Sequence, residues 1–106
     1  MITVTITPKE QANVYGLMIK KEVDLRRAGQ GTLHRAAAKK AGQEKWNHAK
    51  YAGWVNLQRC IGNVVVATVQ SKTPTLEWQL LSSFVGFLDR HFRADIGSIT
   101  LTYGAD

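Results

Sequence analysis

Residues 64–92 read VVVATVQSKTPTLEWQLLSSFVGFLDRHF and contain the two clearest structural patterns of the chain. The run Val64–Gln70 is rich in β-branched residues and predicts a central, well-covered strand. Thr73-Pro74 then predicts a helix start, because threonine caps free amides and proline fits the first helical position. Apolar residues follow at helical spacing, namely Leu80, Leu81, Phe84, Val85, Leu88 and Phe92. We therefore predict a strand followed directly by an amphipathic helix.

The N-terminus repeats this order of strand, Thr-Pro and helix. In residues 2–7, ITVTIT, isoleucine and valine alternate with threonine, which is the period of a strand buried on one face. Thr7-Pro8-Lys9-Glu10 matches a capping box with proline at the first helical position. Apolar residues between Val14 and Leu25 then fall on one half of a helical wheel. We predict that this first helix ends near Ala28.

The remaining strand patterns complete a recognisable architecture. Trp54–Arg59 and Val64–Gln70 flank a turn at Gly62-Asn63, which predicts a hairpin. Residues 98–103, SITLTY, alternate again and predict the last strand. The order strand, helix, strand, strand, helix, strand is that of a split βαβ (βαββαβ, ferredoxin-like) sandwich, a four-stranded antiparallel sheet with two covering helices. We expect one α+β domain over residues 1–106.

The net charge is concentrated in one segment, Lys20–Lys50. It holds nine lysines and arginines against three acids, which accounts for the whole formal charge of +6. From Thr32, a candidate N-cap, the sequence is rich in Ala, Lys, Gln and Glu, so we predict an extra basic helix at about 30–52, inserted between strands 1 and 2. Its inner stripe is mostly alanine and would pack weakly. A mobile loop, or a hairpin about AGQG at residues 28–31, is the alternative.

This basic segment suggests an acidic partner, and we expect nucleic acid. Arginine and lysine can neutralise phosphates while Trp46 stacks on an unpaired base, the usual combination in single-strand binding. The competing interpretation is a merely solvated helix face with Trp46 turned inward. The predicted nucleic-acid-binding residues are Arg26, Arg27, Arg35, Lys39, Lys40, Trp46 and Lys50.

The face of the sheet that no helix covers is a second candidate surface. The strand VVVATV lacks the aromatic residues of RNA-recognition sheets, so stacking of bases on it is not expected. We expect an apolar face there that mediates homo-oligomerisation, most simply as a homodimer. A homo-oligomeric scaffold or protein-interaction module without a nucleic-acid role is therefore the first alternative function.

Enzymatic signals are weak. No HExxH, CxxC, P-loop or GxSxG pattern is present, and no cluster of carboxylates suggests a metal site or an acid–base pair. We therefore predict a non-enzymatic protein without cofactor or metal. The second alternative is a small enzyme or ligand-binding protein that uses His34 or His48. A Cys60 thiolate could pair with His48, but the favoured interpretation of Cys60 is a small apolar side chain at a strand end.

The sequence also bears on the compartment. A lone Cys60 permits no intramolecular disulfide, and no signal-peptide pattern precedes ITVTIT. The longest purely apolar run, Val64–Ala67, is far too short to span a bilayer. We expect a cytoplasmic protein that has no membrane partner.

Overall fold

The protein is represented by a computed structural model that describes residues 1–104, apart from the side chains of residues 37–40. Two α-helices and six strands follow one another in this range as β1 (Ile2–Pro8), α1 (Val14–Arg27), β2 (Leu33–Lys40), β3 (Gln43–His48), β4 (Trp54–Arg59), β5 (Val65–Gln70), α2 (Pro74–Phe92) and β6 (Ile96–Tyr103). The strands form one antiparallel sheet in the order β2-β3-β4-β5-β1-β6.

The mixed α+β class is confirmed, with two helices and an antiparallel sheet. Strands β1, β4, β5 and β6 are the four strands that the alternating patterns predict, and they lie side by side in the order β4-β5-β1-β6. The predicted count of four strands is wrong, because the described residues contain six. The two additional strands, β2 and β3, extend the sheet beyond β4.

The extra basic helix predicted at about 30–52 is also wrong. That segment folds as the antiparallel hairpin β2-β3, which turns at Ala41-Gly42, where Gly42 has a φ of +80°. The turn does not lie at residues 28–31, where the hairpin alternative expected it. Alanine, lysine and glutamine favour a helix locally, but tertiary contacts override such propensities.

Strand β3 illustrates the tertiary contacts that override the helix propensity of this segment. Glu44 and Trp46 are buried, whereas Lys45 and Asn47 between and after them are more exposed. This is the period of a strand with one covered face. Pairing with β4 gives the backbone of β3 its hydrogen-bond partners, and the buried indole of Trp46 contributes apolar area that an alanine stripe lacks.

The predicted start of α2 is confirmed in detail. The hydroxyl of Thr73 accepts a hydrogen bond from the backbone N–H of Leu76 at 3.2 Å, and Pro74 occupies the first helical position. Proline has no N–H to leave unsatisfied there, so the junction satisfies the end of the helix at little cost. The helix then continues to Phe92.

The predicted capping box at Thr7–Glu10 is wrong. Strand β1 continues through Pro8, which pairs with Ile96 of β6 after a shift in register. Glu10 has a φ of +49° and the next residue is also left-handed, which is incompatible with a helix at that point. Helix α1 begins only at Val14, with Asn13 as its N-cap: the Oδ1 of Asn13 accepts a hydrogen bond from the backbone N–H of Gly16 at 3.0 Å.

The hydrophobic core lies between the helices and one face of the sheet. Every second residue of the central strands points into it, as the alternation predicts. Neither helix in the described residues is both long and apolar enough to cross a membrane. The core includes Val4, Ile6, Trp46, Val55, Val65 and Ala67 from the sheet and Val14, Met18, Leu80, Phe84 and Leu88 from the helices.

The opposite face of the sheet is polar. Thr3, Thr68, Asn56 and Lys45 are direct neighbours across four adjacent strands, and each is half-buried. The expectation that this face is apolar is therefore wrong, because hydroxyl, amide and ammonium groups alternate there with the core residues. Homo-oligomerisation through the face remains a prediction.

Candidate functional site

The predicted nucleic-acid-binding residues are spread over several elements. Arg26 and Arg27 form the last turn of α1, Arg35 lies on the edge strand β2, and Lys50 follows β3. All four are exposed at the surface. Lys39 and Lys40 belong to β2, and their side chains lie outside the described residues. The hairpin therefore does not arrange these cations along one helix face.

Trp46 is a core residue and not a surface aromatic. Its side chain has no exposed area, and its ring meets that of Phe87 on α2 edge to face, with centroids 5.5 Å apart. The indole Nε1 donates a hydrogen bond of 3.0 Å to Oε1 of Glu44. Stacking of Trp46 on a nucleic-acid base, which the sequence suggested, is incompatible with this burial.

Two of the predicted arginines are engaged with buried acids. Nε of Arg26 lies 3.3 Å from Oε2 of Glu22, and Nη1 of Arg35 lies 3.7 Å from Oε2 of Glu44. Both carboxylates are almost completely buried, so each needs a partner for its charge. Arg26 and Arg35 thus serve the fold as well as the surface charge.

Two adjoining depressions form a groove along α2, which we call the α2 groove. The first has a volume of about 340 Å³, the second one of about 530 Å³, and both include Thr32 and Ser83. The first is lined by Leu25, Gln30, Gly31, Thr32, Leu33, Ser83, Phe87, Arg90 and His91. The second is lined by Thr32, His48, Lys50, Tyr51, Trp78, Gln79, Ser82 and Ser83.

Three aromatic side chains, those of His48, Tyr51 and Trp78, line the second depression. Trp78 of α2 is 57% exposed although tryptophan is the largest apolar side chain. In the same depression, the rings of His48 and Tyr51 stack with centroids 4.6 Å apart, and Nζ of Lys50 lies 5.9 Å from the centre of the Tyr51 ring. A depression lined by an exposed indole ring, an aromatic pair and a cation is a suitable surface for a flat, anionic ligand.

A tight turn after β3 positions these groups. Nδ1 of His48 accepts hydrogen bonds from the backbone N–H of Lys50 at 2.9 Å and from that of Tyr51 at 3.2 Å. Acceptance at Nδ1 requires the neutral ring with its proton on Nε2. Burial, and then the nearby charge of Lys50, lower the pKa of His48.

The first depression ends at a cationic corner. Arg90 and His91 lie there beside the apolar side chains of Phe87 and Leu25. Burial lowers the pKa of His91, and the positive charges of Lys21 and Arg90 lower it further. Arg90 is thus the cation of this corner, and its charge favours a bound anion there.

No described residue lining the α2 groove is acidic. The two acids of α2 itself are neutralised elsewhere. Glu77 lies 3.0 Å from the N-terminal ammonium group, and both carboxylate oxygens of Asp89 accept hydrogen bonds of 2.8 Å from Arg93. The cations Lys50 and Arg90 therefore determine the sign of the field in the groove.

His34 contacts two elements beside the α2 groove, helix α1 and the loop before β2. Its Nδ1 lies 3.1 Å from Oε2 of the buried Glu22, and its Nε2 lies 3.2 Å from the carbonyl oxygen of Gly31. Both neighbours are acceptors, so only the doubly protonated ring can donate to both. His34 links α1 to the loop that forms one side of the first depression.

The reactive candidates Cys60 and His48 lie far apart. Cys60 follows the end of β4, whereas His48 ends β3; because these strands are antiparallel, the two residues lie at opposite ends of the sheet. The proposed thiolate–imidazole pair is therefore absent. Among the described residues, no three His, Cys, Asp or Glu side chains are grouped so as to hold a metal ion.

Comparison with protein-family models, curated proteins and solved structures finds no match to this chain. The α2 groove was missed by sequence reasoning because its walls come from positions far apart in the chain. One signal was present: Trp78 lies outside the apolar stripe of α2, and a large aromatic residue on the polar side of a helix often marks a contact surface.

Proposed function

We propose that this protein binds single-stranded nucleic acid in the α2 groove and performs no chemistry on it. The observation that carries the proposal is a groove that is lined by exposed Trp78 and the cations Lys50 and Arg90 and by no acidic residue of the described part of the chain. Basic grooves with accessible aromatic rings are the usual means of binding single strands, since phosphates and base faces are both available.

The aromatic and the cationic side chains of the groove have separate roles in this mechanism. A base stacks on Trp78, which contributes about 1–3 kcal/mol per base in comparable complexes. Lys50 and Arg90 neutralise phosphates and release counterions. From Trp78 to His91 the helix rises by about 20 Å. Contacts to phosphate and ring faces carry little sequence information, so we expect weak sequence preference.

The basic segment keeps a reduced part in this proposal. Lys50 belongs to the groove itself, and Arg27, exposed at the end of α1, extends the positive field. Arg26 and Arg35 are already opposed by Glu22 and Glu44, so they add less. The contributions of Lys39 and Lys40 remain predictions.

The proposal is tested by fluorescence anisotropy with short labelled single-stranded RNA and DNA at about 50 and 200 mM salt. Trp78→Ala should weaken binding about tenfold, which corresponds to 1.4 kcal/mol. The matched control is Trp54→Ala, which removes the other partly exposed tryptophan, on the opposite face of the sheet. Arg90→Ala should reduce the slope of log K against log salt by about 0.7.

Two outcomes of the anisotropy measurements would overturn the assignment. One is the absence of binding at the lower salt concentration, and the other is an equal loss for Trp78→Ala and Trp54→Ala. Polyglutamate serves as a competitor: if it displaces the oligonucleotide at equal charge concentration, charge alone is recognised. The protein-interaction alternative would then replace the nucleic-acid proposal.

We also infer that β1, α1, β4, β5, α2 and β6 constitute a split βαβ core to which the β2-β3 hairpin has been added. The adjacency of these four strands in the order β4-β5-β1-β6 supports this inference. A cytoplasmic location of the protein remains a separate prediction.

A further inference from the structure

The two edges of the sheet are built differently. The edge strand β2 has two shifts of register against β3, one between Arg35 and Ala37 and one between Ala38 and Lys40. Its sequence also includes three cationic residues, Arg35, Lys39 and Lys40. Bulges and charges are the devices by which natural sheets prevent further strand addition at an edge.

The other edge, β6, has neither device where it is free. From Ser98 to Tyr103 it pairs with β1 in unbroken register, and the whole strand Ile96–Tyr103 contains no charged residue and no proline. On its other side, no strand of the described part of the chain pairs with it. A long, regular, uncharged edge is a template for another strand.

The side chains of β6 are also incompletely covered. Leu101 and Tyr103 pair directly with Val4 and Ile2, so they point to the same face of the sheet as the helices. Even so, Leu101 is 39% and Tyr103 65% exposed, while Val4 and Ile2 are buried. The helical layer therefore does not reach the end of β6.

We propose that β6 pairs with β6 of a second copy of this chain, antiparallel across a two-fold axis that passes beside Leu101. Each Leu101 then faces its equivalent, and Tyr103 faces Ile99 of the other copy. On the opposite face Thr100 meets Thr102 of the other copy. Apolar side chains thus meet apolar ones, and hydroxyl groups meet hydroxyl groups.

The sequence of β6 identifies the second copy as the partner, because residues 99–103, ITLTY, alternate large side chains with threonine symmetrically about Leu101. The chain has a net charge of +6, so two copies repel each other in most relative orientations. The uncharged β6 permits a close approach without a pair of like charges on the strand. Pairing of one strand with itself across a two-fold axis is necessarily antiparallel and closed, so it yields a dimer rather than a fibre.

This dimer uses the edge of the sheet and leaves its polar face free. The axis stands perpendicular to the sheet, so the helices of both copies lie on the same side of one continuous sheet. It is independent of nucleic-acid binding, because no described residue of β6 lines the α2 groove.

The dimer is tested by sedimentation equilibrium or light scattering on the full chain. The wild-type protein should have twice the chain mass of 11.8 kDa. Leu101→Lys places two like charges opposite each other and should give the monomer. Leu17→Lys is the matched control, since Leu17 on α1 is 38% exposed, and it should remain dimeric. A monomeric wild-type protein, or identical masses for both variants, would refute the proposal.

Cross-linking tests the register and does not depend on the stability of the lysine variant. In a Cys60→Ser background, Leu101→Cys should form a disulfide-linked dimer on mild oxidation, because directly opposed residues have Cα atoms about 4.5–5.5 Å apart. Ser98→Cys in the same background should not, since the two sulfurs would then be about 20 Å apart along the strand. Efficient cross-linking through Ser98→Cys, or none through Leu101→Cys, would exclude this arrangement.

Discussion

Nε1 of Trp46 donates a hydrogen bond of 3.0 Å to Oε1 of Glu44, two residues earlier on the same buried face of β3. The indole thereby satisfies one carboxylate oxygen of Glu44, a residue that is 7% exposed, and Nη1 of Arg35 lies 3.7 Å from the other oxygen. This arrangement explains how an acid can lie beneath the helices. It also makes β3 dependent on contacts that are remote in sequence, since the Trp46 ring rests against Phe87.

Two substitutions of Trp46 should destabilise the fold to different extents. Trp46→Phe keeps an aromatic ring but removes the donor to Glu44, and we expect the free energy of unfolding to fall by about 1–3 kcal/mol. Trp46→Ala also leaves a cavity and should cost about 3–5 kcal/mol. Urea denaturation measures both values. Trp78→Phe is the control, with a change within about 0.5 kcal/mol because the ring is exposed; equal losses at the two positions would contradict the core role of Trp46.

The two basic partners of buried Glu22 should differ in their contributions. His34→Leu removes a partner at 3.1 Å from a side chain with 1% exposure, and a loss of about 1–3 kcal/mol is expected. The side chain of Arg26 is 44% exposed, so its charge is screened by water, and Arg26→Leu should cost no more than about 1 kcal/mol. Thermal or urea denaturation of both variants gives the order. A larger loss for Arg26→Leu would show that the ion pair, and not the histidine bridge, holds Glu22.

Gly53 should tolerate no side chain. Its φ is +125°, and a Cβ atom there would lie 2.3 Å from the carbonyl oxygen of Gln70 in the neighbouring backbone. Gly53→Ala is expected to cost at least about 3 kcal/mol through clash and backbone strain. Gly62, with a φ of +72° and open space around it, is the control; Gly62→Ala should cost about 1–2 kcal/mol. Equal midpoints in urea would mean that the chain relaxes freely around Gly53.

His91 should make the protein less stable as the pH falls. Its pKa is lowered in the folded protein by burial and by the charges of Lys21 and Arg90, so the unfolded chain binds the proton more readily. The free energy of unfolding therefore decreases as the pH drops through the unfolded pKa of about 6.5. His91→Gln removes this dependence, and its stability relative to the wild type should rise between about pH 7 and pH 5. Denaturation midpoints of both proteins, measured over that pH range, test this. A difference in stability between variant and wild type that does not change with pH would contradict the prediction.

Much of the architecture could be predicted because its signals are local. The alternation in residues 2–7 and 98–103 and the stripe Leu80–Phe92 each report one buried face, whatever lies against it. The predicted cap at Thr73 is confirmed, because this motif needs only a side chain and the backbone amide three residues later. The same prediction is wrong at Thr7, because Pro8 pairs with β6 and the chain continues as a strand.

The sequence by itself determined the α+β class, the two amphipathic helices, four strands and the concentration of positive charge in residues 20–50. Tertiary structure alone decided that the alanine-rich segment is a hairpin and that Trp46 points inward, because both outcomes depend on pairing with β4 and on contact with Phe87. The tertiary structure also determined which residues form the α2 groove. Thr32, Tyr51, Trp78 and Arg90 meet only when the sheet and helices pack, and no local pattern specifies a surface assembled from such distant positions.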